Sequence, residues 1–232
     1  DCNSDPYPIW NDMYNTMGEA GILSVAATMN INANVDEQGD VPTSCNSDYL
    51  ISVTNTNYHD EKFSSAAYGS ESIDLGAPGY YICSTTVSNG TSCSLTGTSY
   101  SSPVVAGSVA MVYASMSESL LQEYITSPSI TSLEVKDIIL SNVDTLSALS
   151  DITLTGGRLN LYKAVLASNQ YDSLIGDINS DLDIDIIDIL LIIQCILYTE
   201  CNVSENTNMD LNEDYDINIY DIILIANIIL EN

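Results

Sequence analysis

The sequence predicts an α/β domain built on a parallel sheet, followed by a small α-helical module of paired loop-helix units. Three observations predict it. An apolar run, Gly21 to Ala27, closes on small residues and an amide; Gly97-Thr98-Ser99 opens a second stretch rich in small apolar residues; and beyond residue 173 Lys, Arg and His vanish while acidic residues recur at fixed offsets.

Asn11 to Ala20 reads as a helix with Met13, Tyr14, Met17 and Ala20 on one apolar face that should cover the sheet. Gly21 to Met29 is apolar and β-branched, which predicts a buried parallel strand with Asn30 at its carboxyl end. Ligands of open α/β sheets bind at such ends. Leu50-Ile51-Ser52-Val53-Thr54-Asn55-Thr56 and Ile73-Asp74-Leu75-Gly76-Ala77-Pro78-Gly79 are further strand-like runs. The only histidine, His59, stands in the polar stretch between them and reads as a surface-loop residue.

Gly97 and Thr98 allow a tight entry turn. Ser99 then sits at a helix start, where free N–H groups and the positive end of the helix dipole can stabilise a developing oxyanion. Ser102-Pro103 and the small residues Val104, Ala106, Gly107 and Ala110 predict a helix able to pack tightly in a core.

At 232 residues the chain accommodates one core of about 150 residues and a small module. Thirty-two acidic residues against four basic ones give a net charge of −28, which excludes nucleic acid and anionic membrane as natural partners because both attract cations. The apolar run Ile186 to Leu197 is too short for a membrane span and contains Asp188 and Gln194. Six cysteines in an acidic chain with Asn/Ser/Thr-rich loops favour an oxidising, extracellular setting. They allow fifteen pairings. Cys83 with Cys93 and Cys195 with Cys201 each close a short loop, which leaves Cys2 with Cys45.

The boundaries follow from composition: residues 1–168 form the first domain, 169–173 a linker and 174–232 the second. In that second segment Asp177, Asn179, Asp181, Asp183, Asp185 and Asp188 occupy positions 1, 3, 5, 7, 9 and 12 of a loop. Asp210, Asn212, Asp214, Asp216, Asn218 and Asp221 repeat the arrangement. These are EF-hand offsets, at which alternate side chains of a curled loop turn inward to give a Ca²⁺ ion its six to eight oxygens. Each loop runs directly into an apolar helix, Ile186 to Leu197 and Ile219 to Leu230, so two ions are expected. Position 6, usually glycine, is Leu182 in one loop and Tyr215 in the other. A side chain there has to accept a left-handed backbone at about 1–2 kcal/mol.

The serine motif, the strand ending at Asn30, Asp40-Val41-Pro42-Thr43-Ser44-Cys45, the two later strand runs and Gly156-Gly157-Arg158-Leu159-Asn160-Leu161-Tyr162-Lys163-Ala164-Val165 together resemble the subtilisin-like serine proteases, over about residues 9 to 168. The resemblance implies a partial subtilase catalytic domain in which Ser99 is the nucleophile. It also implies that the Asn30 side chain and the Ser99 N–H hold the oxyanion, and that Ala26, Ala27 and Thr28 line one wall of the pocket for the side chain preceding the scissile bond. Subtilases carry Asp, His and Ser in that order, the first two upstream of the oxyanion asparagine. Neither stands in such a place here, so the chain is expected to be inactive alone and to be the C-terminal part of a longer secreted endopeptidase. A noncatalytic relative is the alternative.

The duplicated loop-then-helix segment resembles the dockerin modules, which bind two calcium ions. That resemblance implies a cohesin-like protein partner, contacted by positions 10 and 11. Here those positions hold Ile186, Ile187, Ile219 and Tyr220, which form either a docking patch or the packing of the helix pair. Two competing readings remain: an inert subtilase remnant acting as a calcium-dependent scaffold-attachment protein, and a surface protein of a salt-adapted organism.

Overall fold

The computed structural model describes residues 2, 8–169, 176–179, 184–198, 207–212 and 214–231. The chain divides into two compact units, residues 1–169 and 170–232.

The first unit is organised by three parallel strands, β1 (Ser24–Ala27), β2 (Leu50–Thr56) and β3 (Leu75–Pro78). Every residue of β2 is buried, as expected of an inner parallel strand covered on both faces. After the helix α1 (Pro8–Glu19), a one-turn helix α2 (Val35–Gln38) follows β1, and the hairpin β4 (Ile82–Thr86) and β5 (Gly90–Leu95) separates β3 from the long helix α3 (Thr98–Ala114). Then come α4 (Glu118–Thr126), α5 (Pro128–Ser141), β6 (Asp144–Thr145), β7 (Gly157–Arg158) and α6 (Leu161–Asn169). The sheet order is β1-β2-β3-β7-β6, with β7 parallel to β3 and β6 antiparallel to β7. Among the described residues β1 is therefore an edge strand.

Helix α3 packs on β1, β2 and β3 through Thr98, Ser101, Val105, Ser108, Val109 and Val112, a stripe at helical spacing. The small residues Ala106, Gly107 and Ala110 do not join this core: they are exposed with Pro103 and Met111 on the far face. Helix α1 forms as the sequence predicts, but only Tyr14 and Met17 enter the core, beside Ala26 and Leu50. Met13 is 56 % exposed and Ala20 is exposed as well, because the helix meets its neighbours through Tyr14, Met17 and Gly18, the last against the Tyr49 ring.

Two disulfides match expectation: Cys83–Cys93 crosslinks the β4–β5 hairpin, and Cys2–Cys45 ties residue 2 to the segment before β2. Cys195 is also disulfide-bonded; its expected partner Cys201 lies outside the described residues. At the amino-terminal end of the sheet, Asp74 accepts the Ser52 N–H at 2.6 Å and stands 3.8 Å from the Lys136 ammonium, which donates to the Leu50 carbonyl. Burial pushes the Asp74 carboxyl above the ordinary carboxylate range, against the pull of Lys136 and Ser52.

In the second unit α7 (Ile186–Tyr198) and α8 (Ile219–Glu231) pack against each other. Their core is Ile192, Ile217 and Ile225, joined by Ile178, Ile184, Ile189, Ile196, Met209, Leu211, Ile222 and Ile229. No single described helix is long and apolar enough to cross a membrane.

Candidate active site

The start of α3 is stapled to the sheet by hydroxyl groups. Thr98 donates to the Thr28 carbonyl at 2.5 Å, Ser101 to the Ala77 carbonyl at 2.9 Å and Ser102 to the Val25 carbonyl at 3.2 Å. Residues 98, 101 and 102 are related as i, i+3 and i+4 and so share one helix face. Ser99 is thereby turned off that face, and it is exposed. Among the described residues nothing is hydrogen-bonded to its hydroxyl. The entry turn needs glycine: Gly97 has φ 150, and a Cβ there would stand 3.0 Å from Asn30 Oδ1.

Asn30 follows β1 and is exposed, but its amide is oriented. Its Oδ1 accepts the Thr98 N–H at 3.0 Å and lies 3.3 Å from the Thr98 hydroxyl. The NH₂ group is left as a donor without a partner among the described residues. An exposed hydroxyl, a helix N-terminal amide and a carboxamide held by the residue before Ser99 are thus found beyond the carboxyl end of β1. Such a set can stabilise negative charge developing on a carbonyl oxygen attacked by Ser99.

Of the three residues expected along the pocket wall, Ala26 is buried against Tyr14 and Leu50, Ala27 is half-buried and Thr28 is 3 % exposed. Thr28 connects furthest: its carbonyl receives Thr98 and its hydroxyl donates to Asp40 Oδ2 at 3.0 Å. His59 lies in the loop after β2, exposed, with its ring against Tyr58 and its backbone N–H on Asn57. None of these contacts involves Ser99. The anchoring role of Thr98 was missed in the sequence, where it read only as part of a turn; a hydroxyl directly before Ser99 is the signal that could have found it.

These observations agree with the comparisons. The model of the subtilase family matches residues 2–161. The chain belongs to the subtilase family. The dockerin type I domain model matches residues 175–230. Among solved structures, that of the subtilase cytotoxin SubAB assembly is 21 % identical, with a TM-score of 0.59, over 72 % of this chain and 55 % of that one. The A subunit of the AB5 toxin from E. coli is 22 % identical, with a TM-score of 0.57, over 70 % and 56 %. A lanthipeptide protease is 19 % identical, with a TM-score of 0.55, over 71 % and 57 %. These likenesses show the fold, and the chain spans about half the length of the structures it matches. No curated protein matches it.

In the dockerin module the two loops repeat one hydrogen-bond pattern. Asp188 accepts N–H groups from Ile178, Asn179 and Asp185, and Asp221 accepts those from Leu211, Asn212 and Asn218. In each case positions 2, 3 and 9 donate to position 12, which draws the ends of the loop together. The position-12 aspartates are fully buried, and Asp177 and Asp210 at position 1 are 1 % and 7 % exposed. Four buried carboxylates without a lysine, arginine or histidine between residues 174 and 232 form a donor set that suits a hard cation. Among the described residues no group of three or more His, Cys, Asp or Glu side chains is clustered closely enough to hold a metal as it stands. Asp214, Asp216 and Asn218 are described; Asp181, Asp183 and Leu182 lie outside the described residues. Tyr215 at position 6 has φ 66, the left-handed backbone expected there. The position 10 and 11 residues are not hairpin packing. Ile186, Ile187, Ile219 and Tyr220 are 63, 47, 60 and 65 % exposed.

Proposed function

We infer that this chain carries the nucleophile and oxyanion groups of a secreted serine endopeptidase, joined to a calcium-dependent docking module. The observation that carries the reading is the three-hydroxyl staple that exposes Ser99 beside the oriented Asn30 amide. Ser99 Oγ attacks the peptide carbonyl carbon, and the oxyanion receives hydrogen bonds from Asn30 Nδ2 and the Ser99 N–H. Collapse expels the amine and leaves an acyl-serine that water hydrolyses. The base that takes the Ser99 proton, and the carboxylate that orients it, come from a part of the protein outside this chain. The free edge of β1 and the exposed small-residue face of α3 are suited to receive a further strand and helix from that part.

In the second unit Asp177, Asn179, Asp181, Asp183, Asp185 and Asp188, with their counterparts from Asp210 to Asp221, would hold two Ca²⁺ ions, whose charge would neutralise the buried carboxylates. Ile186, Ile187, Ile219 and Tyr220 would form the docking patch for a cohesin-like partner, and the disulfides support an extracellular setting.

A fluorophosphonate probe tests the catalytic reading because it reports an activated serine. The full-length protein should be labelled, Ser99→Ala should abolish labelling, and Asn30→Ala should lower kcat by about 10²–10³ with KM nearly unchanged. A second reading, an inert remnant held on a scaffold by its module, is favoured by the absence of any imidazole contact to Ser99. Folded, unlabelled full-length protein selects it.

A further inference from the structure

We propose that Lys62 is a positioning residue that holds the segment carrying Asn30 in place beside the start of α3. The inference rests on the protease reading and deepens it by naming what fixes the Asn30 segment from the side away from Thr98.

Asn30 stands in a short span with little of its own to hold it. The flanks of that span are laced to the loop after β2: the Ala67 N–H donates to the Met29 carbonyl at 2.9 Å, the Tyr68 N–H to the Ala33 carbonyl at 3.0 Å and the Val35 N–H to the Tyr68 carbonyl at 2.8 Å. Between those flanks, among the described residues, Asn30, Ile31 and Asn32 make no backbone–backbone hydrogen bond. Two side-chain contacts fix the span instead. The Thr98 N–H holds the Asn30 carboxamide, and the Lys62 ammonium donates to Asn32 Oδ1 at 2.9 Å. The root of Lys62 is itself anchored, since its backbone bridges to Thr56 at the end of β2. Its ammonium also donates to the Ala66 carbonyl at 2.8 Å and the Phe63 carbonyl at 3.3 Å, and lies 5.3 Å from the centre of the Tyr68 ring. Three N–H groups thus meet three acceptors, two on the lysine's own loop and one on the Asn30 span.

Charge balance does not explain this placement. The other three basic side chains each face a carboxylate: Lys136 faces Asp74, Arg158 pairs with Asp60 and Asp144, and Lys163 pairs with Asp144. Lys62 forms no ion pair among the described residues, although the chain holds thirty-two acidic side chains, and burial pulls its amine below the ordinary lysine range. An ammonium placed entirely on neutral oxygens carries a desolvation cost that no opposite charge offsets. Its return is geometric: a rigid point of attachment for the three residues that include Asn30. The Asn30 amide can stabilise charge developing on a carbonyl oxygen only if it is already in place, because a donor that has to reorganise loses most of its effect. A shift of about 1 Å in such a group lowers the rate by up to about 10²-fold.

The test uses full-length protein. Lys62→Met keeps the aliphatic stem and removes the donors; it should lower kcat about tenfold with KM within about twofold, and slow fluorophosphonate labelling in parallel. Asn32→Ala, at the exposed end of the same contact, should do likewise, and it decides the question if Lys62→Met does not fold. In an Asn30→Ala background Lys62→Met should lower kcat by no more than about twofold further, since it acts through Asn30. Lys163→Met, which loses only its pair with Asp144, controls for removing a positive charge from an acidic chain and should leave kcat unchanged. Active enzyme whose kcat survives Lys62→Met or Asn32→Ala, or in which Lys62→Met costs as much with Asn30→Ala as without it, overturns this inference and leaves the protease reading standing. Folded protein that is neither labelled nor active overturns both.

Discussion

In residues 1–169 the buried carboxylate Asp74 faces the Lys136 ammonium at 3.8 Å, whereas in residues 170–232 Asp177, Asp188, Asp210 and Asp221 are buried and no lysine, arginine or histidine stands anywhere in the segment. The first unit carries its counter-ions covalently. Among the described residues of the second, Asp188, Asp210 and Asp221 are met by backbone N–H groups, which do not cancel a full charge. Burying an uncompensated ion costs several kcal/mol, so the second unit has to recruit cations from the medium and its folding becomes linked to their concentration. The two units should accordingly respond to opposite experiments: removal of a dissolved cation for one, and removal of a side-chain cation for the other.

The largest effect is expected from chelation. With free Ca²⁺ a thousandfold above its dissociation constant, each occupied site adds about 4 kcal/mol of stability, all of it lost in chelator. Amide hydrogen exchange of the whole chain should then show protection disappearing over residues 176–231 while residues 24–169 keep theirs. Titrating calcium back should restore it with an endpoint near two ions per chain. Magnesium should substitute poorly, since it demands near-octahedral geometry. Equal protection of both units in chelator would break the comparison.

The matching experiment on the first unit is Lys136→Met. Asp74 then loses its only facing ammonium, and the unit should be destabilised by about 3–5 kcal/mol in denaturant melts at neutral pH. The sign with pH follows from the direction of the shift. A carboxyl raised in the folded state contributes stability that is present below its unfolded value and lost as pH rises through the folded one. Acidification should therefore shrink the Lys136→Met penalty, because a protonated Asp74 no longer needs the ammonium. A penalty equally large at pH 3 and pH 7 would mean that the lysine acts through its aliphatic stem.

Much of this architecture was legible in the sequence, and the gaps have a physical pattern. The serine motif, the strand ending at Asn30, the close of the short Cys83–Cys93 loop and the left-handed Tyr215 are local signals, each fixed by chain geometry over about a dozen residues. What escaped was decided by distant segments. Periodicity marks Met13 and Ala20 as part of an apolar face but does not say whether a neighbour covers it. The small face of α3 read as core and is open. Whether Ile186, Ile187, Ile219 and Tyr220 packed inside or stood outside depended on how α7 meets α8, and the structure places them outside. The partnership of Lys136 with Leu50 spans 86 residues and leaves no trace in either local sequence.

A smaller effect sharpens the contrast from the side of the loops. Tyr215→Gly relieves the left-handed backbone at position 6, worth about 1–2 kcal/mol for a side-chain-bearing residue, less the ~0.5–1 kcal/mol of extra entropy that glycine gives the unfolded chain. Calcium should bind the second loop up to a few fold more tightly by calorimetry, with the first unit's melting unchanged. No gain would mean that the Tyr215 ring contributes contacts that offset its strain.

The smallest effect belongs to the partly exposed ion cluster of the first unit. Asp144 accepts from Asn160 at 2.9 Å and pairs with Arg158 at 2.7 Å and Lys163 at 3.1 Å; Arg158 also pairs with Asp60. The Asn160, Lys163 and Arg158 hydrogen bonds hold its carboxyl down to about 2. Solvent screens this cluster, so Asp144→Asn should cost no more than about 1 kcal/mol at neutral pH, and Arg158 keeps Asp60. The sign is opposite to that at Asp74. A lowered carboxyl contributes stability present above its unfolded value and lost as pH falls through about 2. Between pH 3 and pH 4 the Lys136→Met penalty should already be shrinking while most of the Asp144→Asn penalty persists. Parallel melts of the two variants over that interval separate a buried covalent counter-ion from a surface one, and curves that decline together would erase the distinction.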